Sequence, residues 1–200
     1  MPYLGTQPNN VKQNTGLYTP SEILELTKDG SWGGSLELIQ SQTVSGDTIC
    51  NFNNIKGNQY DVHLMQFTGI ESGSNMYAEL RLSNDGGSSF ESASNYERAI
   101  QYGGTNGSFG GNDSTSADRF SILAYADAGS SISFYVYLYN LNNSSKYSFI
   151  THQAPPSNTY MYFGGGLYKV AETINAIQLL NSAGASFTAG KVELFGIKEI

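Results

Sequence analysis

Asp61 and His63 come closest, by residue type and spacing, to a catalytic arrangement in this sequence. One residue separates them, so on a strand their side chains would share a face and could act as a general base and its orienting carboxylate. This chemistry also needs a nucleophile on a strained turn, and no Gly-x-Ser-x-Gly motif occurs in the chain. We therefore predict a polar strand face on which His63 meets solvent or another subunit.

Carboxylate pairs for glycoside hydrolysis give no firmer prediction. That chemistry requires two carboxyl groups held across a cleft, and among the 17 Asp and Glu residues the sequence singles out no pair. We predict a protein that is not an enzyme, and a polysaccharide depolymerase is the disfavoured alternative.

Two loop motifs have the composition of ion or phosphate sites. Asn84-Asp85-Gly86-Gly87 lacks the alternating oxygen ligands and the closing Glu of a calcium loop, and it predicts a hairpin turn. Gly103-Gly104 and Gly110-Gly111 are not followed by the Gly-Lys-Ser or Gly-Lys-Thr of a phosphate loop. Two histidines and one cysteine also fall short of a structural zinc site. We expect no metal, no cofactor and no internal disulfide.

Three tyrosines, Tyr135, Tyr137 and Tyr139, alternate with the apolar residues of the segment 134–138. If the apolar set faces the core, the tyrosines line the opposite face of the strand. Three interpretations stay open: a strand packed on both sides or covered by loops, a contact between subunits, or a platform on which a glycan stacks.

The elements that must position these residues are strands. Only 14% of the 200 residues are charged, which is too few to supply the solvent-exposed faces of many amphipathic helices. From Ser35 onward, short alternating runs are separated by Gly, Asn, Asp and Ser, and they predict eleven strands. The marker residues are Leu36/Leu38/Val44, Ile49/Phe52, Tyr60/Val62/Leu64, Met76/Ala78/Leu80/Leu82, Tyr96/Arg98/Ile100, Phe120/Ile122/Ala124, Ile132/Phe134/Val136/Leu138, Tyr147/Phe149, Tyr160/Tyr162, Ile174/Ile177/Leu179 and Val192/Leu194/Gly196.

This pattern predicts an all-β fold for residues 35–200. A two-sheet antiparallel sandwich fits one domain of this length, and a jelly roll is favoured over a closed barrel.

Residues 1–34 are predicted to form an extended N-terminal arm followed by one short helix. Residues 1–18 contain two prolines and three asparagines without hydrophobic periodicity. Thr19-Pro20-Ser21-Glu22 has the pattern of a capping box and starts a helix that runs to about Lys28. Ordering an arm costs about 1–2 kcal/mol per residue, so we expect its apolar side chains to be held either by the chain's own domain or by a partner. These are Tyr3, Leu4, Val11, Leu17 and Tyr18.

Two segments are predicted to be long surface loops. Residues 103–116 are nearly all Gly, Ser, Asn and Thr, and residues 154–158 contain a Pro-Pro pair. Because loops often carry binding residues, Phe109, Asn112 and Asn158 are candidates for receptor contact.

The net charge of −7 disfavours a phosphate backbone as partner, so we predict no nucleic-acid binding. No run of 18 apolar residues occurs, and the first residues lack the basic and apolar segments of a signal peptide. We therefore expect neither membrane insertion nor signal-directed secretion.

Four segments share their turn pattern with a known class of protein. Residues 174–200 combine an apolar strand, a Ser/Ala/Gly-rich loop and a second strand through Val192–Lys198. Residues 54–60 lead into a strand, Leu80–Gly86 ends in a turn, and Tyr3-Leu4-Gly5 with Pro8 opens the chain. Together they resemble small jelly-roll proteins of tailed-bacteriophage virions, with residues 174–200 matching their closing hairpin.

The resemblance implies a non-enzymatic virion protein assembled in the host cytoplasm. Members of this class tend to be homotrimers. The leading expectation is a capsid decoration or cement protein whose N-terminal arm binds the major capsid protein, another virion protein or a neighbouring subunit. The alternative is a tail-fibre or head-fibre subunit that binds a host surface glycan or another receptor.

Overall fold

The structure is a computed structural model that describes residues 19–28, 36–157 and 159–197. Helix α1 spans Pro20–Lys28. The Glu22 backbone N–H donates to Thr19 Oγ1 (3.2 Å), and Glu22 Oε2 accepts from the Thr19 backbone N–H (2.7 Å). This reciprocal pair is the predicted capping box, so the short helix is confirmed.

Strands make up nearly all of the remaining regular structure. Across the described residues there are twelve, and they form one eight-stranded and one four-stranded sheet. Their bounds are β1 Leu36–Thr43, β2 Ile49–Phe52, β3 Val62–Ser72, β4 Met76–Ser83, β5 Tyr96–Gly104, β6 Phe109–Ala117, β7 Phe120–Ala126, β8 Ile132–Tyr139, β9 Ser148–Ala154, β10 Tyr160–Tyr168, β11 Ala176–Asn181 and β12 Phe187–Ile197.

Eight of these strands form a jelly roll. The larger sheet has the order β1-β12-β3-β8-β9-β10-β5-β6, and the smaller sheet has the order β2-β11-β4-β7. The antiparallel pairs β1/β12, β2/β11, β3/β8 and β4/β7 alternate between the two sheets. This is the arrangement of an eight-stranded sandwich wound from two Greek keys. The predicted all-β sandwich with jelly-roll topology is confirmed.

Two inserted hairpins widen the larger sheet. Strands β5 and β6 follow β4 along the chain, and β9 and β10 follow β8. Together they add four strands beyond β8. Strands β5, β9 and β10 also pack against β7, the edge strand of the smaller sheet. The insertions therefore cover an edge that would otherwise be open.

The core lies between the two sheets and is built from large apolar side chains. The stacked rings of Phe67 and Phe134 have centroids 4.1 Å apart, and the Tyr96 and Phe120 rings meet edge to face at 4.9 Å. Close packing also explains a glycine in β10. A Cβ on Gly166 would lie 2.7 Å from the Phe120 ring, so a larger residue would push β10 away from β7.

The predicted loop 103–116 is wrong. Strand β5 continues to Gly104, a turn follows, and β6 begins at Phe109 and pairs with β5. In β6 only Ala117 is buried. The strand is held by backbone pairing at the sheet edge, so its side chains show no apolar alternation.

Two predicted hairpins are also wrong. Residues 174–200 do not form a closing hairpin, because β11 lies in the smaller sheet and β12 in the larger one. Residues 84–87 form a turn with positive φ at Gly86 and Gly87. That turn leads from β4 to a strand of the opposite sheet and not to a hairpin partner.

Candidate interaction surface

The face of the eight-stranded sheet that points away from the core carries two adjacent apolar rows. One row crosses six strands and the other crosses four, and each step is a directly paired position. We call these ten residues the apolar stripe: Leu36, Ile197, Val62, Tyr139, Phe149 and Leu167 in the first row, and Leu38, Phe195, Leu64 and Tyr137 in the second. All ten are half-buried or exposed.

Tyr135, Tyr137 and Tyr139 lie on this outer face, and the apolar residues between them face the core. The Tyr135 and Tyr137 rings meet edge to face at 5.6 Å, and the Tyr137 and Tyr139 rings stack at 6.4 Å. The Tyr135 hydroxyl donates to Gln153 Oε1 at 2.8 Å. These mutual contacts hold the rings in fixed positions, so the surface is preorganised for contact.

A groove of about 440 Å³ borders the stripe. Its lining includes Leu64, Tyr135, Tyr137, Gln153 and Pro155. The groove combines apolar walls with an amide group, and this mixture suits a protein side chain better than a charged ligand.

Electrostatics also distinguish this face. The stripe contains no charged side chain, although the chain as a whole has a net charge of −7. In the next row of paired residues, running from Ser41 to Gln153, the single charge is Glu193. The Lys191 ammonium pairs with it at 2.6 Å. A second copy of the chain would meet less repulsion here than elsewhere on the surface.

Eight members of the stripe were not predicted as site residues. Leu36, Leu38, Val62, Leu64 and Phe149 mark strands correctly, but they point outward. Phe195, Ile197 and Leu167 were not singled out. The available signal was that both alternating sets of residues 62–67 contain apolar side chains, which is expected when a strand is covered on both faces.

The Asp61 and His63 pair does not form a site. Asp61 precedes β3 and accepts from Asn142 Nδ2 at 3.0 Å, while His63 is fully buried with its Nε2 2.8 Å from the Ile55 carbonyl oxygen. The predicted solvent-facing or subunit-facing His63 is wrong, because the inward set of β3 is His63, Met65 and Phe67. Burial lowers the pKa of His63, against the opposing effects of the Ile55 hydrogen bond and Asp61.

One ion cluster joins β4 to the start of β7. Arg119 contacts Asp118 at 2.6 Å and Glu79 at 2.9 Å, and Arg81 contacts Asp118 at 2.7 Å. The Arg119 hydrogen bond is the main cause that lowers the pKa of Asp118 to about 2. Burial raises the pKa of Glu79 despite Arg119. The charges of two cations and two carboxylates balance within the cluster, which indicates a structural ion pair network.

The candidate receptor residues lie in different settings. Phe109 begins β6 and is 70% exposed, with its ring 6.3 Å from that of Phe163. Asn112 is exposed on β6, and its Oδ1 accepts from Arg98 Nε at 2.9 Å. Asn158 lies outside the described residues, as do the arm residues Tyr3, Leu4, Val11, Leu17 and Tyr18.

Within the described parts of the chain, no three His, Cys, Asp or Glu side chains lie close enough together to hold a metal ion. No helix in those parts is long and apolar enough to cross a membrane. Comparison of the chain with protein-family models, curated proteins and solved structures finds no match.

Proposed function

We propose that this protein is a non-enzymatic structural component of a tailed-phage virion, in which it associates with copies of itself through the apolar stripe. The observation that carries the proposal is the uncharged stripe on the outer face of a preorganised sheet. A capsid decoration protein, with the N-terminal arm engaging the shell, remains the favoured role within the virion.

The size of the outer face fits association between copies. The six strands that the stripe crosses, about 4.8 Å apart and about 20 Å long, give a face on the order of 600 Å². A standard protein interface buries about 800 Å² per partner.

The fold supports the proposal by analogy alone. Jelly rolls are common in viral capsid domains, but they also occur in lectins and other proteins. The resemblance of residues 54–60, 80–86 and 174–200 to virion proteins adds to this analogy. The segment 174–200 supplies two jelly-roll strands, although they do not form the hairpin of that pattern.

Sedimentation analysis of the full chain tests the association. The double variant Leu38→Glu/Tyr135→Glu places charge on the outer face at exposed positions and should convert an oligomer to monomers. The matched control is Ile49→Glu, because Ile49 is 45% exposed on the smaller sheet. It should leave the oligomer intact. A wild-type monomer at tens of micromolar, or equal loss in both variants, would contradict the proposal.

Immunogold labelling tests the virion role separately. An antibody against this chain, applied to particles from cells that carry the gene, should label heads if the protein decorates the capsid. Label on tails or fibres would support the alternative role, and unlabelled particles would exclude a virion component.

The exposed ring of Phe109 favours one second candidate function, a fibre subunit that binds a host receptor. If Phe109 contacts the receptor, Phe109→Ala should abolish adsorption to cells without dissolving the oligomer. Unchanged adsorption would count against this role.

A further inference from the structure

A second concave site lies where β4, β7 and β10 approach one another. Its volume is about 260 Å³, below the roughly 300–1,000 Å³ of sites for drug-sized ligands. We call it the tyrosine cleft, and its lining residues are Tyr77, Tyr125, Asp127, Thr159, Tyr160 and Tyr162. It shares no residue with the apolar stripe, and it is independent of the proposed function.

The tyrosine rings of the cleft are inclined to one another. The Tyr77 ring lies 6.0 Å from that of Tyr162 at 84° and 5.1 Å from that of Tyr125 at 51°. Tyr102, which is not one of the lining residues, contacts the Tyr160 ring at 5.4 Å and 81°. The faces of rings inclined in this way point in different directions at the cleft that the rings line, whereas a flat sugar ring stacks on a single open face.

A carboxylate stands at the edge of these rings. Asp127 Oδ1 accepts from the Tyr125 hydroxyl at 2.9 Å, while Asp127 Oδ2 is shielded from solvent and has no hydrogen-bond partner. Burial, with Asp127 as the next cause, raises the pKa of the Tyr125 phenol, so it stays a neutral donor. Shielding a carboxylate oxygen from solvent without a hydrogen-bond donor raises the free energy of the folded chain, unless a donor or a positive charge offsets the lost hydration.

The charge of the cleft has one sign. Of the described residues that line it, none is Lys, Arg or His. The Asp127 carboxylate therefore has no internal counter-ion in the cleft, and the net charge of −7 adds to the negative field. An anionic ligand is disfavoured on both grounds.

We infer that the tyrosine cleft binds a compact organic ammonium ion. Cations are attracted to the faces of tyrosine rings, and aromatic cages of this kind recognise methylated ammonium groups. A neutral saccharide fits less well, because its hydroxyl would have to reach Asp127 Oδ2 directly, and that atom is shielded. A cation needs only to lie within the field of the carboxylate.

Proton–carbon NMR of the full chain with labelled tyrosines tests the inference. Titration with tetramethylammonium chloride should shift the ring signals of Tyr77, Tyr125 and Tyr160 in a saturable way. Choline should behave similarly, whereas its neutral isostere 3,3-dimethylbutan-1-ol should bind roughly tenfold more weakly or not at all. Phosphocholine and trimethyl-lysine amide then distinguish a lipid or glycan headgroup from a modified protein as the natural source.

Two variants with matched controls locate the site. Asp127→Asn keeps an acceptor for the Tyr125 hydroxyl but removes the charge, and Tyr160→Ala removes one ring. Each should weaken tetramethylammonium binding roughly tenfold. Asp113→Asn on exposed β6 and Tyr147→Ala at an exposed position make the same chemical changes elsewhere and should leave binding unchanged.

Three outcomes would overturn the inference. They are equal binding of the neutral isostere, saturable binding of a monosaccharide without binding of tetramethylammonium, or unchanged affinity in Asp127→Asn and Tyr160→Ala. If a variant loses its folded NMR spectrum, the comparison of choline with its neutral isostere on the wild-type chain still tests whether the cleft prefers a cation.

Discussion

At the scale of single residues, two buried histidines make the sandwich sensitive to acid. His152 on β9 is 4% exposed, and burial lowers its pKa to about 4, against a smaller opposing effect of the Leu123 backbone. An unfolded histidine titrates near 6.5. The unfolded chain therefore binds a proton that the folded chain excludes, and folding is penalised as the pH falls between these two values.

We expect the variant His152→Leu to lack this penalty. The His152 contribution to stability is complete above about pH 6.5 and lost as the pH falls towards 4, by at most roughly 3 kcal/mol. Denaturant unfolding of wild type and His152→Leu at pH 7, 5 and 4 should show a smaller loss of stability in the variant. Equal losses would mean that His152 is not a source of the acid sensitivity.

The carboxylates of Asp85 and Asp118 do not obscure this window. Hydrogen bonds from Ser89 lower the pKa of Asp85 to about 2, and the Arg119 hydrogen bond does the same for Asp118. A lowered carboxyl pKa contributes stability that is present above its unfolded value near 3.9 and disappears as the pH falls to about 2. Their effects therefore lie mainly below pH 4.

At the scale of elements, one hydroxyl links the first inserted hairpin to the jelly roll. Tyr96 lies on β5 in the larger sheet, and its hydroxyl accepts from the Leu82 backbone N–H on β4 at 3.0 Å. The same hydroxyl donates to the Glu91 carbonyl oxygen at 3.3 Å. Burial raises the pKa of this phenol, so it remains protonated and keeps both hydrogen bonds.

We expect Tyr96→Phe to lower the free energy of unfolding by about 1–3 kcal/mol, because the buried Leu82 N–H loses its acceptor. The phenyl ring keeps the contacts with Phe120 and Tyr168 at 4.9 Å, so ring packing is retained. Tyr147→Phe, at an exposed position, is the control and should be near neutral. A destabilisation as small as that of the control would show that water replaces the lost acceptor.

For a strand with one apolar face, both the strand and its inward face were predictable. For a strand with two apolar faces only the strand was predictable, and for a strand with none neither was. The alternation from Ile132 to Leu138 gave both strand β8 and its inward face. In β3 the sequence offers apolar residues in both phases, and the outward pair Val62 and Leu64 could not be told from the inward set. Strand β6 has no apolar phase, so backbone pairing with β5 left no sequence signal.

The candidate sites depended on long-range pairing and were harder to predict. The apolar stripe exists because β1, β12, β3, β8, β9 and β10 are neighbours in that order, and no local pattern fixes that order. The tyrosine cleft brings Tyr77, Tyr125 and Tyr162 together from three strands. The backbone at Ile122 has a φ of 62° at the register shift between β4 and β7. A β-branched side chain disfavours this backbone conformation, so the residue type gave no indication of it.

At the scale of the whole molecule, charge and surface pattern together set how copies should associate. Each chain has a net charge of −7, while the apolar stripe is uncharged and its neighbouring Glu193 is already paired with Lys191. Hydrophobic contact between stripes is therefore opposed by repulsion between the remaining surfaces.

Added salt should accordingly strengthen association between copies. Screening shortens the reach of the repulsion, whereas burial of apolar surface is not weakened by sodium chloride. Sedimentation equilibrium between about 0.05 M and about 0.5 M salt should show a falling dissociation constant for wild type. The Leu38→Glu/Tyr135→Glu variant is the reference, since it should stay monomeric across this range. A wild-type oligomer that dissociates as salt rises would mean that ion pairs, and not the stripe, hold the copies together.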